Sequence, residues 1–470
     1  MIILYCNFNI KNHTRILYCV FIFCHFYFYA KLSYAKIIVD ESITLHQRPG
    51  VSSVYIRESE THCKALNAYC RGANYTTINI QPPNEQGVSH NKYTKFDVEK
   101  GAGYDKVSLN NFIASSATGN PNLTTVPAKV ILNEVTSGNQ TRLNGSLIVA
   151  GEKAHVIIAN PAGIHCDGCQ FSNTSHVTLT TGRPIFSQGN IRGYNVIEGT
   201  IDIGNHGLVL HDDINTYLDI FSRSLNVKGE VRSKDILSIV GKNAISYASI
   251  GGQVHVTSLV GLSTKDKNNI GLDVSHLGGM YANKIFIFSR DGGVVNSGVI
   301  HADNKTSIIS NRFIKNNGRI SAENVILQTL VSIDNQLGSI KNIKNSSGIN
   351  SDEKAGIKIV SKLFNNNKGY VYSNLGDINI DTGNRLYNAY GMIRTIGTYG
   401  QADIKIKTKK FNNFSGVITT SNNIFIDTDI LKNNEGRIVS AFGTLDLRYK
   451  TLEDKTGLLH GGIEVIKTQK

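Results

Sequence analysis

Tryptophan is absent from this 470-residue chain, and proline is held to 7 residues and methionine to 3. No stretch longer than a few residues repeats its apolar positions every 3.6 residues, which leaves helix a minor component. After residue 35 no run is apolar enough to cross a bilayer as a helix, so the mature chain is expected to be soluble. No Gly-x-Ser-x-Gly, Walker A or dinucleotide fingerprint occurs in a suitable setting. The 14 histidines are scattered, with no pair spaced as metal ligands. Glycine, by contrast, is abundant (44), and Ile, Val, Thr and Asn recur throughout. That mixture suits many short strands joined by turns: β-branched side chains pack on a pleated surface, and Gly and Asn tolerate positive φ at corners. The formal charge of +13 is spread along the chain. It reads as a solvated basic exterior, with a patch for nucleic acid or anionic glycans as the sharper alternative.

The first 35 residues read as a secretory signal peptide. Lys11 and Arg15 form a late positive region, residues 16–30 an apolar run, and Ser33-Tyr34-Ala35 a small-residue cleavage site, so processing is expected between Ala35 and Lys36. At about 1.5 Å per residue the apolar run falls short of the bilayer's hydrocarbon thickness. Cys6, Cys19 and Cys24 leave with this segment, and Cys63, Cys70, Cys166 and Cys169 remain. An even number in an exported chain favours disulfides. Of the three connectivities, 63–70 with 166–169 needs the fewest assumptions. A four-thiolate zinc site is the rival, but the six residues between Cys63 and Cys70 exceed its usual spacing, so no metal is expected.

From about Lys284 a repeat emerges: an Asn-rich turn, a Gly, then a short alternating apolar strand. Examples are Asn316-Asn317-Gly318-Arg319-Ile320, Phe414-Ser415-Gly416-Val417-Ile418 and Asn434-Glu435-Gly436-Arg437-Ile438. The glycines at 298, 318, 338, 369, 391, 416 and 436 are separated by 20, 20, 31, 22, 25 and 20 residues. A period near 20 with loop-sized insertions marks a solenoid. Leucine-rich repeats share the period, but their regular Leu-x-x-Leu-x-Leu stretches are missing. Second strands such as Ile424-Phe425-Ile426 lie between the glycines. The expected architecture is therefore all-β: a right-handed parallel β-helix with an N-terminal cap and short extra-helical β elements. Ile and Val stack inward, and Lys, Asn and Thr face water. The cap is expected to be irregular and polar, within residues 36 to about 110. The chain divides into a signal peptide at 1–35, a first β-helical region at 36–280 and repeats at 281–470.

Residues 78–170 carry a denser set of segments. They include Gly87-Val88-Ser89-His90-Asn91-Lys92-Tyr93, Asn120-Pro121-Asn122-Leu123, Ile131-Leu132-Asn133-Glu134-Val135 and Asn160-Pro161-Ala162-Gly163-Ile164, with Cys166-Asp167-Gly168-Cys169 after them. In this order and spacing they resemble the secretion domain of two-partner secretion exoproteins, the filamentous haemagglutinin, haemolysin and contact-dependent inhibition family. The two Asn-Pro elements are that family's hallmark, and Ala162 stands where the family usually has Asn. The resemblance implies export through a dedicated outer-membrane transporter whose periplasmic domains recognise this region. Read physically, Asn-Pro starts a turn, because Pro fixes φ and the Asn side chain bonds nearby backbone. Corners that hold strands in register are the plainer account, and both can hold.

Parallel β-helices also degrade polysaccharides, a reaction needing paired carboxylates on adjacent coils. His211-Asp212-Asp213 with Asp202 is the best candidate here, and it reads better as a polar loop. No enzyme activity, cofactor or nucleic-acid partner is expected. The leading reading is an adhesin-like exoprotein displayed to a receptor or glycan on host or neighbouring cells. The alternative is the N-terminal part of a haemolysin or toxin-delivery stalk.

Overall fold

The computed structural model describes residues 37–57, 72–98, 106–210, 215–247, 254–259, 269–343, 355–397 and 402–470. Among these the only helical segment is the single turn Leu45–Gln47. Short strands wind into a parallel β-helix whose coils each contribute to three parallel sheets. In the C-terminal half one sheet runs through Phe313–Asn316, Ser332–Asp334, Lys410–Asn412 and Ile430–Lys432. The second runs through Arg319–Ala322, Ser339–Asn342, Tyr370–Ser373, Met392–Thr395 and Val417–Thr420. The third runs through Asn324–Thr329, residues 356–360 and 377–381, Ile404–Lys407, Ile424–Asp427 and Leu445–Tyr449. The same third sheet continues upstream without a break through Val88–Phe96, Val130–Val135, Ala154–Ala159, Thr174–Thr180, Tyr217–Ser222 and Asp235–Val240.

Alternation along each strand explains the stack. In the second sheet Ile300, Ile320, Ile340, Val371, Ile393, Ile418 and Ile438 are register partners on successive coils, and all are fully buried. Each inward side chain meets its equivalent about 4.8 Å away, and apolar burial contributes roughly 25 cal/mol per Å².

One expectation about the corners is corrected. Asn was assigned to the solvent face, yet Asn296, Asn316, Asn335, Asn366, Asn388, Asn413 and Asn433 are all fully buried. They sit where the first sheet turns into the second and form a ladder along the rod. Each Nδ2 donates to the Oδ1 of the next Asn at 2.7–2.8 Å, and Asn433 donates to Asp454 at 3.0 Å. An amide carries both donors and acceptors, so a stack of them satisfies itself away from water. Positive φ is tolerated by Gly and Asn, and the upstream glycines Gly163, Gly199 and Gly207 adopt it. In the repeats the left-handed position belongs instead to the residue before the glycine: Leu337, Lys368, Tyr390, Ser415 and Glu435 have φ between 49° and 62°. The glycines that follow are needed for space, because a Cβ on Gly369, Gly391, Gly416 or Gly436 would collide with the main-chain oxygen of a ladder Asn on the preceding coil.

The N-terminal region is less irregular than expected. Gly50–Arg57, Gly72–Asn79, Lys106–Asn111, Ser146–Gly151 and Gln170–Ser172 form a five-stranded sheet, and Ile37–Val39 pairs antiparallel with Val88–Phe96. Cys63 and Cys70, together with Ala35 and Lys36, lie outside the described residues.

Candidate functional site

The two Asn-Pro segments fold into the same turn at two different corners. Asn120 lies between Lys106–Asn111 and Val130–Val135, and it is fully buried. Its Nδ2 donates to the carbonyls of Ile80 (2.8 Å) and Asn110 (2.9 Å), while its Oδ1 accepts from Asn122 N at 2.9 Å. Leu123 N then donates to Asn120 O at 3.0 Å, and the Leu123 side chain enters the core. Asn160, also fully buried, follows Ala154–Ala159. Its Nδ2 donates to Asn139 O (2.8 Å) and Thr141 Oγ1 (2.9 Å), and its Oδ1 accepts from Ala162 N at 2.9 Å. Gly163 closes this turn at φ +111°, a conformation that L side chains rarely adopt, and Ile164 opens the next inward strand. One carboxamide therefore closes a turn with its oxygen and donates twice to neighbouring chain, whereas a hydroxyl has a single donor and a carboxylate none. The Ala162 departure is visible as one missing interaction. Asn122 reaches back to Asn79 O (3.3 Å) and Ile80 O (3.2 Å), and Ala162 has no group to do the same.

Pro121 and Ala162 are exposed, and Pro161 is half-buried. Just beyond the second turn, Cys166 and Cys169 are buried with their Cα atoms 5.4 Å apart and their sulfurs adjoining. Asp167 between them accepts from His206 N at 2.8 Å. The His206 hydrogen bonds hold its carboxyl below the usual carboxylate range despite the opposing pull of desolvation. Asp202 accepts from Asn226 Nδ2 at 2.6 Å, while residues 211–213 lie outside the described residues. Among the described residues no group of three or more His, Cys, Asp or Glu is placed to hold a metal ion.

Extra-helical strands were expected, and the structure shows where they sit. Arg183–Ser187, Asn190–Val196, Asn243–Tyr247 and Val254–Ser258 form a four-stranded antiparallel sheet outside the helix. Its first hairpin turns through Gln188 (φ 50°) and Gly189 (φ 77°), the two positive-φ positions of a two-residue turn. Tyr194, Val196 and Ile245 pack with Leu132, Ile157, Phe221 and Ile239 as a second core. The signal was in the chain: Val156-Ile157-Ile158 and Ile220-Phe221 are unbroken apolar runs, as expected of strands covered on both faces.

His155 lies on this outward face, stacked on His176 at 4.3 Å and hydrogen-bonded to Thr178 Oγ1 at 2.8 Å. His176 Nε2 in turn lies 3.0 Å from the Asp219 carboxylate. Burial, reinforced by the neighbouring His176, holds the His155 imidazole well below its usual value of 6.5. The folded state therefore favours neutral His155, and the unfolded chain takes up the proton first as pH falls through about 6.5. Stability is thus expected to drop between pH 7 and pH 5. Denaturation midpoints should show that drop for the unaltered chain and a flatter profile for His155→Gln; identical slopes would remove His155 as the cause.

Residues 59–322, more than half of the chain, match the TPS secretion domain family. The chain is 38% identical over 241 residues to the tRNA nuclease CdiA of Yersinia mollaretii, covering 49% of this chain and 8% of that protein. It is 31% identical over 400 residues to the tRNA nuclease CdiA of Escherichia coli O6:K15:H31, covering 82% of this chain and 11% of that one. The chain thus spans about a tenth of the length of these curated relatives. A crystal structure of a filamentous haemagglutinin secretion domain is 28% identical, with a TM-score of 0.44, covering 62% of this chain and 94% of that one. The chain belongs to the two-partner secretion family: it is a secreted or surface-displayed exoprotein, exported by a dedicated outer-membrane transporter through its secretion domain.

Proposed function

We propose that the two Asn-Pro segments, Asn120 to Leu123 and Asn160 to Ile164, act twice. The transporter's periplasmic domains read them while the chain is extended, and they become corner fastenings once it folds. The observation that carries this reading is the burial of Asn120 and Asn160, whose carboxamides are wholly engaged inside the folded protein. Recognition of these side chains therefore precedes folding. An extended segment can add to a sheet edge of the transporter. Coil-by-coil folding outside then draws the chain forward, each coil burying apolar surface at about 25 cal/mol per Å².

In this reading residues 1–35 are the signal peptide, cleaved between Ala35 and Lys36, 36–280 is the secretion domain and 281–470 is the displayed shaft. The adjoining sulfurs of Cys166 and Cys169 support a disulfide there, with Cys63 and Cys70 as the second pair. The shaft acts as an adhesin, presenting its surface to a receptor or glycan on host or neighbouring cells, without catalysis, cofactor or nucleic acid. The names of the relatives favour a second reading, in which these residues are the N-terminal part of a toxin-delivery stalk.

Replacing Asn120 and Asn160 together by Ala tests the double role. Export is expected to fail while the purified, refolded domain keeps its β-sheet circular dichroism and a cooperative unfolding transition. Wild-type export of the variant would sink the recognition role, and loss of both export and fold would assign the residues to structure alone.

A further inference from the structure

Two columns of outward side chains run along the third sheet. Lys358, Asn379, Lys405, Phe425 and Asp446 are register partners on successive coils in one. Val360, Asp381, Lys407, Asp427 and Arg448 are partners in the other. Together they line a groove of about 690 Å³. Positive charge falls on alternate coils: Lys358 on one, Lys405 with Lys407 two coils on, and Arg448 two coils further. The coils between carry Asn379 with Asp381, and Phe425 with Asp427, while the last cationic coil also carries Asp446 beside Arg448. At about 4.8 Å per coil, cations recur roughly every 10 Å along the rod.

Among the described residues no carboxylate lies within ion-pair distance of Lys358 or Lys407. Lys405 is 3.6 Å from Asp403, and Arg448 is 3.5 Å from Asp446. Lys470 is paired with Asp427. Asp403 and Asp446 are half-buried, but the ammonium of Lys405 and the guanidinium of Arg448 stay exposed and open to a second anion. Phe425 is exposed between them, with Lys405 Nζ 5.8 Å from its ring centroid.

We propose that this groove binds a linear acidic polysaccharide with one carboxylate per disaccharide, lying along the rod axis. One sugar residue advances such a chain by about one coil rise. Each acidic sugar then meets a cation-bearing coil, and each uncharged sugar meets a coil with a carboxylate. There Asp381, Asn379 and Asp427 offer acceptors and a donor to hydroxyl groups, and Phe425 offers a ring face to the sugar's C–H face. The alternation disfavours nucleic acid, which carries a charge at every nucleotide and would set phosphates against Asp381 and Asp427. The groove belongs to the folded shaft, so the proposal stands apart from the mode of export.

Calorimetric titration of the full chain with a hyaluronan decasaccharide, which bears a carboxylate on every second sugar, tests it. Saturable binding is expected, weakened about tenfold or more by Lys407→Glu with Arg448→Glu, a loss of about 1.4 kcal/mol or more. Circular dichroism should show that double variant folded. Lys315→Glu, exposed on the first sheet, should leave the affinity unchanged. A polygalacturonate decasaccharide, charged on every sugar, should bind about tenfold more weakly. Absence of hyaluronan binding, undiminished binding by the double variant, equal loss in Lys315→Glu, or equal affinity for polygalacturonate would each overturn the proposal.

Discussion

Asn388→Ala is expected to destabilise the shaft by about 2–5 kcal/mol, because it breaks the ladder on both sides at once. Asn388 accepts from Asn366 Nδ2 at 2.7 Å and donates to Asn413 Oδ1 at 2.8 Å, and all three residues are fully buried. Truncation leaves a donor above and an acceptor below without their partners. Each such orphan costs about 1–3 kcal/mol, and the vacated volume adds to it. Asn366 keeps longer bonds to Gly369 O (3.3 Å) and Met392 O (3.4 Å), which places its share at the lower end. Asn388→Asp should be worse at neutral pH: a carboxylate accepts from Asn366 but sets a buried charge against Asn413 Oδ1. Protonation restores a donor, so this variant should recover part of its stability on acidification. Urea unfolding followed by circular dichroism measures both, and an Asn388→Ala loss below about 0.5 kcal/mol, the range of inert surface changes, would remove the ladder as a source of stability. Asp454 shows where the rule relaxes. It holds the ladder position after Asn433, where it accepts at 3.0 Å, and it is only half-buried.

The ladder marks the boundary of what the sequence makes legible. The glycine spacing disclosed the coil, because a solenoid places one tight corner in every turn. The inward residues followed from alternation: Ile300, Ile320 and Ile340 are where a two-residue period puts them. The burial of Asn316 and Asn335 did not follow, since propensity assigns Asn to turns and turns to the surface. Its partner lies about 20 residues away on the next coil, and the pairing exists only once coils stack in register. The same holds for Asn120 and Asn160. Their turns were legible from Asn-Pro, but the carbonyls of Ile80 and Asn139 that they reach were not. The extra-helical sheet was expected without a location, although the doubly apolar runs around Ile157 and Phe221 could have placed it. Within residues 36 to about 110 the strands of the expected cap escape a sequence reading for a related reason. Gly72–Asn79 and Lys106–Asn111 are polar strands whose partners are distant in sequence, so local composition resembles a loop.

Gly391→Ala separates the two physical roles that a corner glycine can play, and it is expected to cost about 3 kcal/mol or more. Gly391 does not occupy the left-handed region; Tyr390 before it does, at φ 55°. Alanine therefore suits the backbone conformation at 391 and fails only on space. Its Cβ would drive into Asn366 O and the amides of Asn366 and Asn388, atoms that define the spacing between coils. Relief requires moving a coil, which strains the ladder and the stacked Ile393 together. Leu337→Gly makes the opposite test. Leu337 holds φ 62° with its side chain 70% exposed, so little packing is lost and an unfavourable backbone is relieved. The gain is reduced by the greater freedom of glycine in the unfolded chain, leaving a net change between zero and about 1 kcal/mol in favour of folding. If corner glycines served only conformational freedom, Gly391→Ala would be tolerated. A large loss there beside a neutral or stabilising Leu337→Gly shows instead that close approach of coils selects glycine, while the strained position before it is left free to carry an exposed side chain.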